Sequence, residues 1–396
     1  MRIAVFIKST TFHKGYGGLQ TQNKALCEEL TKRGHEITVF SPQLELKEEK
    51  KDENGVKYIF VPCIYKKYIL SRFNKNSWRK KSIEAFEKIH SKKKFNLVLS
   101  QSSAGESVVL KRFKLRIPIV SVSHGTILSE FKTFVANMKL PRDFFKLLLN
   151  TQYFLRQYFG KQRRFVLGAD KVIAVSDIVR ESLLEETFIH ERDIVTVYNG
   201  FDKKKIDDID VLKHDDGLIR IIFIGRIEKS KGVFILIKML EEMELKNFKL
   251  FFVGGGSDLD ELKTRVDKSD ISSSVEFHTE LNHIEALSKL KESDILVFPT
   301  QRVEGFPMVL IESMFAKVPV VAFSQGGVKY GVKDKETGFL IEPTNTEGFK
   351  EALLRLFENK TLRESFGSRA GEWGEKEFTI EHMVDEYEKI FEEVSK

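Results

Sequence analysis

Cysteine is scarce in this chain, and its placement excludes two whole classes of fold support. Cys27 and Cys63 supply neither a disulfide framework nor metal-ligand spacing, and Cys27 falls inside a helical pattern where a buried thiol is the ordinary expectation. A reducing, cytoplasmic setting is expected on that account. Long apolar runs are also missing. The richest are broken by Lys, Arg or Gly within a few residues, so no membrane-crossing helix is expected and any bilayer contact would be peripheral, at a cytoplasmic face. The start of the chain carries Arg2 and then a short apolar run, without the longer apolar region and cleavage site of a secretory signal, so no export is expected. Internal repeats and low-complexity tracts are absent as well.

What is present is enough for two cores. A chain of 396 residues with 41% hydrophobic content exceeds the usual single-domain size. Its net charge of +7 suits a phosphate-rich ligand, an anionic membrane face or nucleic acid without choosing among them. Strand-like runs alternate with helical ones throughout, the pattern of parallel sheets covered on both faces. The strands expected in a first domain are Met1 to Ile7, Glu36 to Ser41, Leu97 to Gln101, Ile117 to Ser123, Lys171 to Val175 and Ile194 to Tyr198. After Asn199-Gly200, the Lys- and Asp-rich stretch Asp202 to Asp216 reads as a connection or surface loop. A second series follows at Ile219 to Ile224, Phe248 to Val253, Ser274 to Phe277, Ile295 to Phe298, Val318 to Ala322 and Gly338 to Ile341, with helices such as Val233 to Glu242 and Leu281 to Lys291 between. The fold class expected is α/β, with two doubly wound Rossmann-like domains facing a cleft, and with ligands at the carboxyl ends of the strands.

The loops at those ends carry the chemistry. Lys14-Gly15-Tyr16-Gly17-Gly18 follows the first strand and feeds a helix, a setting in which backbone N–H groups can approach a phosphate. A nicotinamide site is disfavoured, because Gln20 stands where a third glycine would fall and the second strand ends in Ser41 and Pro42 instead of an acidic residue. A tight turn without a ligand is the plain alternative. Behind the strand Ile219 to Ile224 come Arg226 and Lys231, a forked guanidinium and an ammonium able together to neutralise a diphosphate, although basic loop residues are often merely solvated. Pro299 through Glu312 is the strongest local signal: Glu304 on a loop, Pro307 placed as the first residue of a helix, and Glu312 in its second turn among Ile311, Met314 and Phe315. Free amides at that helix start favour anions, so a carboxylate at Glu304 would belong there by binding sugar hydroxyls or a cation. A partly buried Glu312 needs hydrogen-bond partners, which a ribose diol or a nearby cation would supply. His124-Gly125 closes the strand Ile117 to Ser123, where the imidazole would meet a sugar or simply pack.

Taken in order, these pieces resemble glycosyltransferase family 4, the retaining GT-B enzymes. The resemblance runs through Gly17-Gly18, Arg33-Gly34-His35-Glu36, His124-Gly125, Ala174-Val175-Ser176, Tyr198-Asn199-Gly200-Phe201-Asp202, Gly225-Arg226 with Lys231-Gly232, Val253-Gly254-Gly255-Gly256, Glu304-Gly305-Phe306-Pro307 with Glu312, and Thr337-Gly338-Phe339-Leu340. It implies an acceptor-side domain over 1–201, a nucleotide-sugar domain over 202–375, and a C-terminal helix over 376–396 packed back on the first domain. It also implies catalytic roles for His124, Arg226, Lys231 and Glu304, and donor contacts from Gly17, Gly18, Gly225, Gly305, Phe306, Pro307, Met308 and Glu312. The expected reaction is transfer of a hexosyl unit from a nucleotide-diphosphate sugar to a saccharide or lipid-linked saccharide acceptor, as in polysaccharide or glycoconjugate biosynthesis. No cofactor and no metal are expected, because cationic side chains and helix amides neutralise the leaving group; Asp207, Asp208 and Asp210 form no supported metal site. The chain departs from the family at Tyr330, where Glu is frequent, and at His278 and Thr279, where Gly is frequent; both positions bear on donor identity.

Between His124 and Lys171 lies a basic aromatic stretch, 131–166. Phe131, Phe134, Met138, Phe144, Phe145, Leu147, Leu148, Tyr153, Phe154, Tyr158 and Phe159 alternate with Lys132, Lys139, Arg142, Lys146, Arg156, Lys161, Arg163 and Arg164, opposed by Asp143 alone. Such a segment can lie on an anionic membrane, which would serve a lipid-borne acceptor; a core-packing helix with a solvated basic face is the competing reading. Nucleic acid is not expected, since no binding module is present. Two other functions share the scaffold: a sugar-nucleotide epimerase and a non-catalytic nucleotide-sugar or glycan-binding protein.

Overall fold

The computed structural model describes residues 1–15, 17–64, 76–136, 144–211 and 216–396, with backbone alone at 136, 144–146 and 148–149. Tyr16, Met138, Lys139, Arg142 and Asp143 lie outside the described residues, as do the side chains of Phe144, Phe145, Lys146 and Leu148. The chain forms two compact units: Met1–Phe131, Lys139–Asn199 and Ile380–Lys396 make the first, Lys132–Met138 and Gly200–Thr379 the second.

The first unit is built on eight strands: β1 Arg2–Phe6, β2 Glu36–Pro42, β3 Lys50–Glu53, β4 Val56–Val61, β5 Leu97–Gln101, β6 Ile119–Ser123, β7 Lys171–Ala174 and β8 Ile194–Thr196. They order as β3-β4-β2-β1-β5-β6-β7-β8, and all neighbours are parallel except β3 and β4. Strand order reverses at β1, which pairs with β2 on one side and β5 on the other. Alternation along β1 sends Ala4 and Phe6 into a core with Phe40, Phe86, Phe95 and Val98, as the two-residue period of a strand requires.

Strands β3 and β4 add a hairpin that the series of expected strands does not contain. Asn54 and Gly55, at φ of 49° and 78°, form the left-handed turn between them, and Asn-Gly is the dipeptide that tolerates it. The basic aromatic stretch becomes helices Ile127–Ala136 and Phe144–Arg156, a π-helical turn Gln157–Gln162 and a last turn Arg163–Leu167. Part of its aromatic content is spent internally: Phe131 stacks on Phe154 at 4.3 Å between ring centroids. Cys27 is free and buried, and burial pushes its thiol well above the usual range.

Helix Ile380–Ser395 belongs to the first unit. The Arg33-Gly34-His35-Glu36 run explains why. Arg33 pairs with Asp385 and Glu388, and His35 Nε2 lies 2.8 Å from the same Glu388, so the turn into β2 clamps the last helix of the chain. Phe378 and Thr379, by contrast, lie in the second unit: Phe201 N donates to Phe378 O at 2.8 Å, and the Phe378 ring meets Trp373.

The second unit carries six parallel strands, β9 Ile219–Ile224, β10 Phe248–Val253, β11 Val275–His278, β12 Ile295–Phe298, β13 Val320–Phe323 and β14 Gly338–Ile341, ordered β11-β10-β9-β12-β13-β14. Along β9, Ile221 and Phe223 enter one buried cluster and Ile222 the opposite one. Both faces are covered, as the nearly continuous apolar strands foretell. The Lys- and Asp-rich stretch after Phe201 is docked in part: Ile206 is buried in the short helix Lys204–Asp207, and Lys291 Nζ donates to the carbonyls of Ile206 and Ile209 at 2.8 and 2.7 Å.

Candidate active site

In the second unit the loops after β9 and β12 meet because glycine permits it. Gly232 has φ of +76°, and a Cβ there would stand 1.9 Å from Pro299 O, a position open only to a residue without one. Gln301 N then donates to Ser230 O at 2.9 Å. Lys231, at the end of the 3₁₀ turn Lys229–Lys231, thereby reaches Glu304: Nζ and Oε1 are 2.6 Å apart, with each side chain 13% exposed. Thr300 Oγ1 donates to the same carboxylate oxygen at 2.9 Å, and the Lys231 ammonium lies 5.6 Å from the centroid of the Phe298 ring. This is a short, charge-assisted pair in a largely dry setting.

Main-chain contacts hold Glu304 from behind. Gly327 N donates to Glu304 O at 2.7 Å, and a Cβ on Gly327 would fall 1.7 Å from Gly305 O. The helix that follows is Met308–Ala316, with Pro307 at φ −69° and ψ 122° as its N-cap. Proline thus stands one residue ahead of the expected first helical position, since its extended ψ keeps it out of the helix. No side chain caps this start, which leaves the positive end of the helix dipole for an anion. Phe306 is turned inward against Phe378, with ring centroids 5.6 Å apart, and Met308 is buried as well, so neither side chain is open to solvent.

Glu312 is buried, and its Oε1 accepts from His283 Nε2 at 2.8 Å. His283 opens helix His283–Lys291 behind the Asn282 cap. Arg226 stands apart from the Lys231–Glu304 pair: it is 57% exposed and pairs with Glu228 at 2.8 Å. Gly225 precedes it with φ of +156°, and the Gly254 and Gly256 backbones nest against Gly225 O and Ile227 O, where any Cβ would come within 2.4 and 2.2 Å.

In the first unit, His124 follows β6 and its Nε2 lies 2.7 Å from Gln101 Oε1 at the end of β5. Burial lowers the imidazole to about 4, so the neutral ring donates from Nε2 and keeps Nδ1 as an acceptor. Gly17 is the N-cap of helix Gly18–Lys32. Its N–H donates to Gln20 Oε1 at 2.9 Å, and Gln20 Nε2 donates to Ser9 Oγ at 2.7 Å. The residue that interrupts the nicotinamide spacing therefore closes the first turn of this helix.

Thr300, His283 and Gln101 were not singled out by sequence. Thr300 lies four residues from Glu304 and was within reach of a loop argument; His283 and Gln101 are brought to their partners by tertiary packing, for which spacing gives no signal. Among the described residues, no three His, Cys, Asp or Glu side chains are grouped as a metal site, and no helix is long and apolar enough to cross a membrane.

Against known proteins, residues 16–205 match the sequence model of Glycosyltransferase Family 4 and residues 204–373 that of Glycosyl transferases group 1. An uncharacterized glycosyltransferase of Methanocaldococcus jannaschii is 28% identical over 395 residues, 95% of each chain. A phosphatidyl-myo-inositol mannosyltransferase of Mycolicibacterium smegmatis is 26% identical over 370 residues, 90% of this chain and 85% of its own. In fold, the chain is similar to the Anabaena protein Alr3699/HepE in complex with UDP and glucose, with a TM-score of 0.73 and 17% identity over 99% of this chain and 100% of that one. The two matched segments abut at the boundary between the units and leave little of the chain outside them, and each falls on a sheet of the expected kind. The chain belongs to the glycosyltransferases of the family 4 and group 1 type, with the GT-B fold.

Proposed function

We propose that this chain moves a hexosyl unit from a nucleotide-diphosphate sugar to a saccharide or lipid-linked saccharide acceptor, with retention of configuration and without a metal ion. The observation that carries this reading is the Lys231–Glu304 pair. It sets a cation and a carboxylate at the carboxyl ends of the adjacent parallel strands β9 and β12, where ligands of doubly wound sheets bind. Donor binding would exchange that contact for two others, with Lys231 turning to a phosphate oxygen and Glu304 accepting from sugar hydroxyls. Arg226 is free to swing from Glu228 to the diphosphate, and the uncapped start of helix Met308–Ala316 adds backbone amides of Met308 and its neighbours. Gly225, Gly305 and Pro307 keep the main chain open to the ligand, while Glu312, oriented by His283, accepts from a ribose diol. In the first unit, neutral His124 would hydrogen-bond the transferred sugar, and Gly17 and Gly18 would bring backbone toward an anion.

In the proposed step the bond from the anomeric carbon to the diphosphate oxygen breaks. The acceptor oxygen bonds to that carbon on the same face, and its proton passes to the departing diphosphate. UDP-sugars are the first donors to test, because the Anabaena protein binds UDP and glucose. A lipid-borne acceptor agrees with the phosphatidyl-myo-inositol acceptor in the name of the Mycolicibacterium relative and with 131–166, where Tyr153, Leu155 and Phe159 stay exposed around Arg156. Flotation with vesicles should carry the chain upward when anionic lipid is present; no flotation with or without anionic lipid would remove this contact.

Saturation-transfer NMR against UDP-, GDP- and ADP-sugars tests the donor reading directly. One class should bind to the parent chain and be lost in Glu304→Ala and Lys231→Ala, and the parent should release nucleotide once acceptor is added. Unchanged binding in both variants would overturn the site; an isomerised donor, or binding with no turnover for any acceptor, would overturn the reaction.

A further inference from the structure

At the end of β1, where strand order reverses, stands a cationic pair that the donor chemistry leaves unused. Lys8 follows Phe6 by two residues, and its Nζ donates to Ser103 Oγ at 2.9 Å. Ser103 lies in the turn after β5, so this contact spans the gap between β1 and β5. A doubly wound sheet binds ligands outside its carboxyl edge at such a reversal. Lys161 is carried on the π-helical turn Gln157–Gln162, and its like charge acts on Lys8. π-turns recur at functional sites because they turn a side chain out of helical register.

The neighbouring Gln162 fixes that turn. It is buried, its Oε1 accepts from Ile127 N at 2.7 Å, and its Nε2 donates to Glu186 Oε2 at 2.7 Å. Two ammonium groups held together in a half-buried place repel one another, and proteins ordinarily relieve this with a carboxylate. Here, among the described residues, no carboxylate lies within ion-pair distance of Lys8 or Lys161. Glu106, which acts on both electrostatically, is engaged by Arg164 at 2.9 Å. Glu130 acts on Lys8, and Arg156 and Arg164 add further positive potential at Lys161. Burial first, then Lys161, brings Lys8 down to about 7. Without an anion, Lys8 is thus the partner that gives up its proton.

We propose that Lys8, Lys161 and Ser103 form an anion-binding site that receives a phosphate or carboxylate group carried by the acceptor. The acceptor role rests on the transferase reading above; anion binding by these residues does not. A bound anion lets both lysines stay charged, so binding raises the pKa of Lys8 and withdraws its reactive free amine. At about 7 roughly half of Lys8 is free amine at pH 7, and this is the fraction that anion binding depletes.

Trace acylation of the full chain with acetic anhydride, read at the Lys8 peptide by mass spectrometry, measures that fraction without altering the protein. Millimolar inorganic phosphate or malonate should suppress labelling at Lys8 by a factor of ten or more, and whichever probe is effective identifies the group. Suppression should persist in Lys231→Ala, which excludes a signal relayed from the donor site, and vanish in Lys161→Gln. Labelling at Lys8 that neither probe changes, or protection that survives Lys161→Gln, overturns the site. The transferase reading fails separately: a protected Lys8 in a chain that turns over no nucleotide sugar keeps the anion site, and turnover with an unprotected Lys8 discards the anion site alone.

Discussion

Glu304→Gln and Lys231→Met each strand one charge of a pair whose side chains are both 13% exposed. Breaking a fully buried pair from one side costs about 3–5 kcal/mol, and the residual solvent contact here trims this to roughly 2 kcal/mol for either single variant. Joining the two substitutions removes both charges, so the double variant should lie within about 1 kcal/mol of the parent, a coupling of about 3 kcal/mol. In a cooperative unit of the size of Gly200–Thr379, the single changes correspond to roughly 4–8 °C in Tm. Scanning calorimetry of the ligand-free chain reads this, and nucleotide release from the donor reads function in the same samples. Stability should return in the double variant while transfer stays lost in all three. A single variant within about 1 °C of the parent, or a double variant showing the summed losses, would refute the claim that the pair is both dry and coupled.

Glycine at 327 should tolerate no side chain. Gly327→Ala forces a Cβ to 1.7 Å from Gly305 O, so denaturant unfolding should show a loss of about 2 kcal/mol or more, whereas Gly17→Ala meets only Gln20 Oε1 at 3.9 Å and should cost at most about 1 kcal/mol as a cap change. His124 sets a pH dependence. Its folded value of about 4 lies below the ordinary 6.5, so the stability it lends is complete above pH 6.5 and is lost as pH falls toward 4. The difference between the parent and His124→Gln should therefore shift by up to about 3 kcal/mol across that window in urea titrations, and a constant difference would mean that the imidazole titrates in the folded chain as it does in the unfolded one. Transfer should continue undiminished in EDTA after exhaustive dialysis; activity that disappears and returns with a divalent ion would show that the cationic side chains do not suffice.

Most strands were legible because their apolar runs are short, β-branched and bounded by turn residues. Leu97–Gln101, Ile219–Ile224, Phe248–Val253, Ile295–Phe298 and Gly338–Ile341 coincide with the segments that composition marks out. The β3–β4 hairpin was missed because Lys50–Glu53 carries no apolar residue, although Asn54-Gly55 before Val56 was a visible turn signal. Loop positions of the candidate site were legible through glycine and charge. Their partners were not: Glu304 could be read as hydroxyl-binding or cation-binding, and only folding shows Lys231 beside it. Glu312 and His283 are separated by 29 residues, and periodicity carries no information about such a pairing. Phe306 shows the opposite limit, since its motif suggests ligand contact while its ring fills the core.

The glycine contacts at the strand ends bear on how substrate choice can change. Gly232 against Pro299, Gly254 against Gly225, Gly256 against Ile227 and Gly327 against Gly305 join loop to loop through main-chain atoms. The frame at these strand ends is thus fixed by groups that every amino acid shares, and His278, whose carbonyl accepts from Gly254 N, and Tyr330, in the turn Gly327–Tyr330, adjoin it in the chain. On the donor reading proposed above, exchanging them should retune which sugar nucleotide is preferred without loosening the frame, so specificity in this scaffold can drift by single substitutions while the main-chain frame is inherited intact.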